Sequence, residues 1–161
     1  MWTRQTNREF DERKGEPNRE AMQDLVAVGP PPGLLAYIDG APVGWAAVGP
    51  RESFSRLGRS PVTKPVDETP VWSVTCFVID RRYRRRGVAS ALLDAAIHFA
   101  ADAGAAAVEG YPVEARSDAM PDIYAWMGLA EMFEQAGFDE IARRSETRPL
   151  FRKWLRDQPE K

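Results

Sequence analysis

The chain has 161 residues, 43% of them hydrophobic and 29% charged, with a formal net charge of −2. That length suits one domain with a buried core, residues 1–161 with a polar N-terminal segment over 1–16, and the mildly acidic balance argues against a general nucleic-acid binder. Cys76 is the only cysteine and His98 the only histidine, so no internal disulfide can form and no metal is expected. With no apolar run near about 18 residues and no apolar signal-peptide core, a cytoplasmic protein without a membrane span is the expectation.

In chain order, residues 1–16 show no period and read as coil or a short helical turn. Residues 17–28 read as a helix: Pro17 suits its start, and Ala21, Met22, Leu25, Val26 and Val28 form an apolar side. The run Gly29-Pro30-Pro31-Pro32-Gly33 stops it. Strands over 34–38 and 42–48 follow, joined at Asp39-Gly40, a dipeptide suited to a hairpin turn. Residues 50–70 carry four prolines and no sustained period, a long loop with a helical turn near 53–57. A strand spans 71–79 and a helix 87–103, with Val88, Leu92, Ala96, Phe99 and Ala100 on one stripe and Leu93 and Ile97 beside it. Strand 105–111, helix 123–136, strand 138–142 and strand 150–155 complete the chain. The order predicts a mixed α/β (α+β) sheet with helices on both faces.

The most informative stretch is 76–93. A β-branched and aromatic run ends at Asp80; five arginines follow in six positions, then Gly87 and an amphipathic helix. A strand that feeds a turn and a helix start aims backbone N–H groups at one spot, where the helix dipole and the charges of Arg84, Arg85 and Arg86 add to them. Gly87 has no Cβ, so the backbone can close on a ligand. This is a pyrophosphate cradle. The plainer alternative is a solvated basic face or a weak nucleic-acid patch. Against it stand the position between strand and helix, the Gly and Ala spacing, and the elements around it.

The pattern Arg84-x-x-Gly87-x-Ala89 resembles the acyl-CoA signature of the GNAT N-acetyltransferase superfamily, Gln/Arg-x-x-Gly-x-Gly/Ala. A second stretch, from Met132 to Phe138 and containing Phe133-Glu134-Gln135-Ala136-Gly137-Phe138, resembles that superfamily's Tyr-Glu-x-x-Gly-Phe helix end. The likeness covers roughly residues 17–155. It implies a V-shaped split sheet in which strands 71–79 and 105–111 are parallel neighbours that splay apart to admit the pantetheine arm of acetyl-CoA. The main chain of Phe77, Val78 and Ile79 would pair with that arm as an added strand. The amides from Arg85 through Gly87, Val88 and Ala89 to Ser90 would hold the pyrophosphate. The implied reaction is direct transfer of an acyl group, most often acetyl, to an amine, with a main-chain N–H of strand 76–79 stabilising the thioester oxygen.

Three departures from the pattern matter. The tyrosine that protonates the leaving thiolate in many relatives is matched here by Phe133. Ser73 and Thr75 stand where a carboxylate base is often found; Glu109 and Tyr111, two apart on one strand and so facing one side, are the nearest substitutes, with Tyr124 a further proton donor. Each of the three has a plain structural alternative, a solvated carboxylate or a packing tyrosine. Lastly, residues 1–16 hold no strand-like run, so the superfamily's first strand is shortened or missing. Strand 34–38 then becomes a sheet edge, which a second copy of the chain would cover in a homodimer. The acceptor, a small-molecule or peptide amine, is expected in a pocket built from the 50–70 loop, Trp72, Tyr111 and the region of Tyr124 and Trp126, with neither nucleic acid nor membrane as partner. The rival to an enzyme is a non-catalytic acyl-CoA-binding module.

Overall fold

Strands β1 (Gly33–Ile38) and β2 (Ala41–Pro50) form the hairpin that Asp39-Gly40 predicts. Both turn residues have positive φ, 51° and 77°, as a two-residue turn matched to the strand twist requires. The computed structural model describes residues 1–114 and 125–155. Strand β3 (Trp72–Ile79) pairs antiparallel with β2 from Gly44↔Ile79 to Pro50↔Trp72, with an irregularity at Ala47/Val48. Helix α4 (Val88–Asp102) is the crossover that returns the chain to β4 (Ala107–Gly110), parallel to β3. Strand β6 (Pro149–Trp154) lies antiparallel to β4, and β5 (Asp139–Arg143) antiparallel to β6. The sheet order is β1-β2-β3-β4-β6-β5, a mixed sheet as the element order predicts.

One face of the sheet is covered by α4. Val88, Leu92, Leu93, Ala96, Ile97 and Ala100 are buried there in one cluster with Val43, Ala46, Val74 and Val108. Large aliphatic side chains in such a cluster each contribute about 1.5–3 kcal/mol on full burial. The stripe read from the sequence is the buried one, except that Phe99 is half-buried against Trp72. Gly44 lets α4 approach, since a Cβ there would lie 3.0 Å from Val88 Cγ1 and 3.1 Å from Leu92 Cδ1. Strand alternation turns Ala47, Tyr111 and Leu150 to the opposite face. There they pack with Phe54, with Leu57 of α3 (Ser55–Arg59) and with Met127.

The N-terminal residues contain no strand. They form α1 (Asn7–Glu12), opened by a reciprocal Thr6/Glu9 cap, and α2 (Glu16–Val28), with Pro17 in its first turn. Strand β1 is therefore an edge, with Leu35 and Tyr37 exposed. The apolar side expected for α2 is only partly used: Leu25 is half-buried, but Val26 and Val28 are exposed, so the last turn has no core beneath it among the described residues.

The helix expected over 123–136 is shorter. Residues 123 and 124 lie outside the described residues, Ala125 is in 3₁₀ conformation and 126–129 are not helical; α5 spans Ala130–Gln135. Gly128, at φ 91°, and Leu129, in extended conformation, interrupt the helical path, and their main chain is engaged elsewhere. Among the described residues no helix is long and apolar enough to cross a membrane.

Candidate active site

Strands β3 and β4 share three register pairs, Trp72↔Val108, Ser73↔Glu109 and Val74↔Gly110, and then part. Residues 125–129 run between the parted ends and bond to both. The Phe77 N–H donates to the Trp126 carbonyl at 2.7 Å, while Val113 N–H donates to the Gly128 carbonyl and Ala130 N–H to the Val113 carbonyl, both at 3.0 Å. This alters one expectation. Phe77 does not offer a free N–H to an added strand, because the chain's own carbonyl already takes it. Asp80 N–H donates to Val43 of β2, so alternation turns Val78 to β2 as well and Ile79 to the wedge. The Ile79 carbonyl accepts from Arg84 Nε at 3.3 Å.

Beyond β3 the chain makes one turn of 3₁₀ helix over Arg81–Tyr83 and reaches Gly87, which caps α4. Asp80 takes the charge of Arg82 in an ion pair that holds its carboxyl down at about 2. Arg84, Arg85 and Arg86 are exposed. Arg85 and Gly87 sit at φ 58° and 77°, an alternation that turns successive N–H groups to one side. Gly87 provides no side-chain cap, and helix geometry leaves the N–H groups of Val88, Ala89 and Ser90 without intrahelical partners. A Cβ on Gly87 would meet no atom within 4 Å, so any side chain there would project into the open space before the helix start. Main-chain donors, helix dipole and the positive charge of the exposed arginines fit a pyrophosphate.

Glu109 is 1% exposed, and both its oxygens are taken. Oε1 accepts from Arg152 Nη2 at 2.7 Å and Nε at 3.2 Å; Oε2 accepts from Arg51 Nη1 at 2.5 Å and the Tyr111 hydroxyl at 2.9 Å. Arg152 continues to Asp67, whose carboxyl it holds down at about 2, and Arg51 continues to the Thr63 carbonyl. The expectation of Glu109 as base is corrected here: both oxygens of this buried carboxylate already accept from guanidinium groups, and Glu109 is not among the residues that line the neighbouring cavity. Tyr111 is likewise 1% exposed, bonded to Ser73 Oγ at 2.9 Å, and burial pushes its hydroxyl well above the ordinary tyrosine range. Neither residue is placed to donate to a leaving group. Tyr124 lies outside the described residues. Cys76 is half-buried, and burial pushes its thiol up, which suits packing rather than attack.

Below the wedge, on the face away from α4, lies a cavity of about 690 Å³. Its walls come from the N-terminal segment (Trp2, Thr3), from α3 and the loop after it, and from Trp126 and Met127. Trp2 packs edge-on to Trp126 with centroids 4.7 Å apart, and Thr3 Oγ1 lies 3.3 Å from Thr75 Oγ1 on β3. The cavity therefore shares Trp126 with the wedge.

The sequence of residues 1–128 matches the model of the acetyltransferase (GNAT) family. The chain belongs to the GNAT acetyltransferase family. Among solved structures the fold is similar to a GNAT-family acetyltransferase from Desulfovibrio desulfuricans, with a TM-score of 0.55 and 19% identity over 94% of this chain and 84% of that one. It is also similar to Ard1 from Thermoplasma volcanium, with a TM-score of 0.51 and 19% identity over 86% and 80% of the two chains. Among curated proteins none matches the chain in sequence.

In this GNAT protein the sequence-derived residues fall into three places. Arg84 to Ser90 come together at the start of α4. Phe77 to Ile79 lie along the wedge. Glu109 and Tyr111 are buried beside it. Phe133, aligned with the missing tyrosine, is fully buried against Phe77, Phe138 and Phe151. A Cβ on Gly110 would lie 2.0 Å from its ring, so glycine makes room for it. Trp72 does not line the cavity; it packs on Phe99 at 5.6 Å, on the α4 side. The N-terminal wall was not legible: residues 1–8 have no period, and what brings them to the cavity is stacking of Arg56 on Trp2 and main-chain bonding to Thr3.

Proposed function

We propose that the protein is an acetyl-CoA-dependent N-acetyltransferase that transfers the acetyl group directly to the amine of an acceptor lodged in the cavity. The observation that carries this reading is the parting of β3 from β4 after Val74, directly upstream of a left-handed Gly87 that opens α4. Residues 85–90 bind the pyrophosphate through main-chain donors, with Arg85 and Arg86 adding charge. When bound, the co-substrate supplies an acyl group activated as a thioester. A nitrogen–carbon bond forms, the carbon–sulfur bond breaks, and the amine's proton is lost. With Glu109 enclosed, no carboxylate lines the cavity among the described residues, and solvent takes that proton. The chain's own contribution is alignment of the two reactants.

A rate limited by the free amine rises tenfold per pH unit below the acceptor's own pKa and follows that pKa from one acceptor to another. With Phe133 at the family's tyrosine position, Tyr124 is the further proton donor that the sequence offers. Tyr124→Phe is expected to lower kcat by about 10²-fold, the low end for acid–base catalysis, with CoA affinity unchanged. The test of the function itself is thiol release from acetyl-CoA across a panel of amines, beside a thermal shift with CoA. The burial of Phe133 and the enclosure of Glu109 favour a second reading, a CoA-binding module without turnover. CoA stabilisation with no thiol release from any amine would establish that reading.

A further inference from the structure

The cavity wall is strongly one-signed. Arg8, Arg56, Arg59 and Arg148 line it, and no carboxylate does among the described residues. The surrounding acids lie on α1 and offset only part of this charge. Glu12 pairs with Arg8 at 2.7 Å on an exposed surface, Asp11 pairs with Lys14 at 2.7 Å and acts on Arg56 from a distance, and Glu9 feels Arg59. Arg148 has no ion pair among the described residues.

Arg56 is the most constrained of the four. Its guanidinium lies 3.5 Å from the centroid of the Trp2 ring, and its main-chain N–H donates to Thr3. Its Nη2 is buried and has no hydrogen-bond partner among the described residues. A stacked, half-buried guanidinium with an unused donor is a recognition element for a planar or tetrahedral oxyanion. A volume near 690 Å³ is that of a small-molecule site.

We propose that the acceptor is a small amine carrying an anionic group, a carboxylate or a phosphate, which Arg56 binds within the field of Arg59 and Arg148. This rests on the N-acetyltransferase reading. The reacting nitrogen belongs at the Trp126 end, where cavity and wedge meet. The same positive field favours the uncharged amine over the ammonium, which assists loss of the proton where no side-chain base stands ready. A neutral amine would leave the guanidinium unanswered.

The test is equilibrium binding, by calorimetry with CoA present, of matched pairs. These are 4-aminobutyrate against 4-aminobutyramide, β-alanine against its amide, and O-phosphoethanolamine against ethanolamine. The acid member of at least one pair is expected to bind about tenfold or more tightly, the worth of one charge-assisted hydrogen bond. The carboxylate and phosphate pairs separate the two chemistries. Arg56→Gln should erase the preference. Arg148→Gln, which breaks no described contact, should reduce it if Arg56→Gln fails to fold. Neutral members binding as well as or better than the acids, or a preference that survives both substitutions, overturns the inference. Thiol release and the CoA thermal shift on the same preparation separate the two levels. CoA binding without an anion preference refutes only the acceptor class, whereas absence of any response to CoA refutes the reading beneath it.

Discussion

Glu109 shows how a residue can sit at the right place in the sheet for chemistry and yet serve structure. Its neighbours Arg51 and Arg152 are 11% and 4% exposed at the side chain; neutralisation of the carboxylate would leave Arg51 with an uncompensated charge and Arg152 with Asp67 alone. Glu109→Gln is therefore expected to destabilise the fold by about 3–5 kcal/mol, read as a fall in the melting temperature. A variant with unchanged stability and a selective loss of kcat would restore Glu109 to the role of base. Gly87 makes the opposite case, since nothing packs against it. Gly87→Val should abolish stabilisation by CoA, because a β-branched residue resists φ 77° and its side chain would occupy the space before the helix. Circular dichroism should show the helical content kept. A full CoA response in that variant would misplace the cradle.

At the scale of elements, the wedge depends on a five-residue segment rather than on a helix. Gly128 carries much of that geometry. It sits at φ 91°, and a Cβ there would come within 2.7 Å of Phe133 Cε2 and 2.9 Å of Met132 Cε. Gly128→Ala is expected to cost about 1–3 kcal/mol and to loosen the 125–129 segment, raising hydrogen-exchange rates at Phe77 and Val113 above those of the β2–β3 ladder. Uniform exchange across these amides would mean that the segment does not depend on this glycine. The long loop after β2 is held in a comparable way. Arg51 bonds the Thr63 carbonyl, Arg144 the Lys64 and Pro65 carbonyls, and Arg152 bonds Asp67, so arginines fasten a proline-rich stretch that has no ladder of its own.

Over the whole molecule, that fastening carries a pH signature. Arg152 lowers the Asp67 carboxyl from its ordinary 3.8 to about 2 in the folded protein. The stability this adds is complete above about pH 4 and is lost as pH falls toward 2, where the folded form takes up the proton too. Acid melts should show the loss between those limits, and Asp67→Asn should flatten it; an identical acid profile in the variant would show that the pair contributes nothing. Most of the sheet was legible from the sequence, because a two-residue turn, a strand–arginine–glycine–helix run and a buried stripe on α4 are local signals. The cradle was legible for the same reason. The enclosure of Glu109 was not, since its partners Arg51 and Arg152 are 58 and 43 residues away and no local pattern joins them. Alternation correctly put Glu109 and Tyr111 on one face, but it carries no information about what covers that face. The start of α5 was misread because Trp126 and Met127 look helical in composition, while Gly128 and the pull of Val113 decide otherwise.

The bond from Phe77 N–H to the Trp126 carbonyl makes the wedge a site of competition within one chain. A ligand carbonyl that pairs with β3 at this point does not add a hydrogen bond; it exchanges one. The carbonyl it displaces is tethered on one side by the Val113 bridge, so its effective concentration is high, in the millimolar range or above for a short link. Apparent affinity at that position is divided by this internal competitor. Ligands held only along β3 would be screened out, while one also anchored at the start of α4 could prevail. Discrimination would then come from requiring two distant contacts at once.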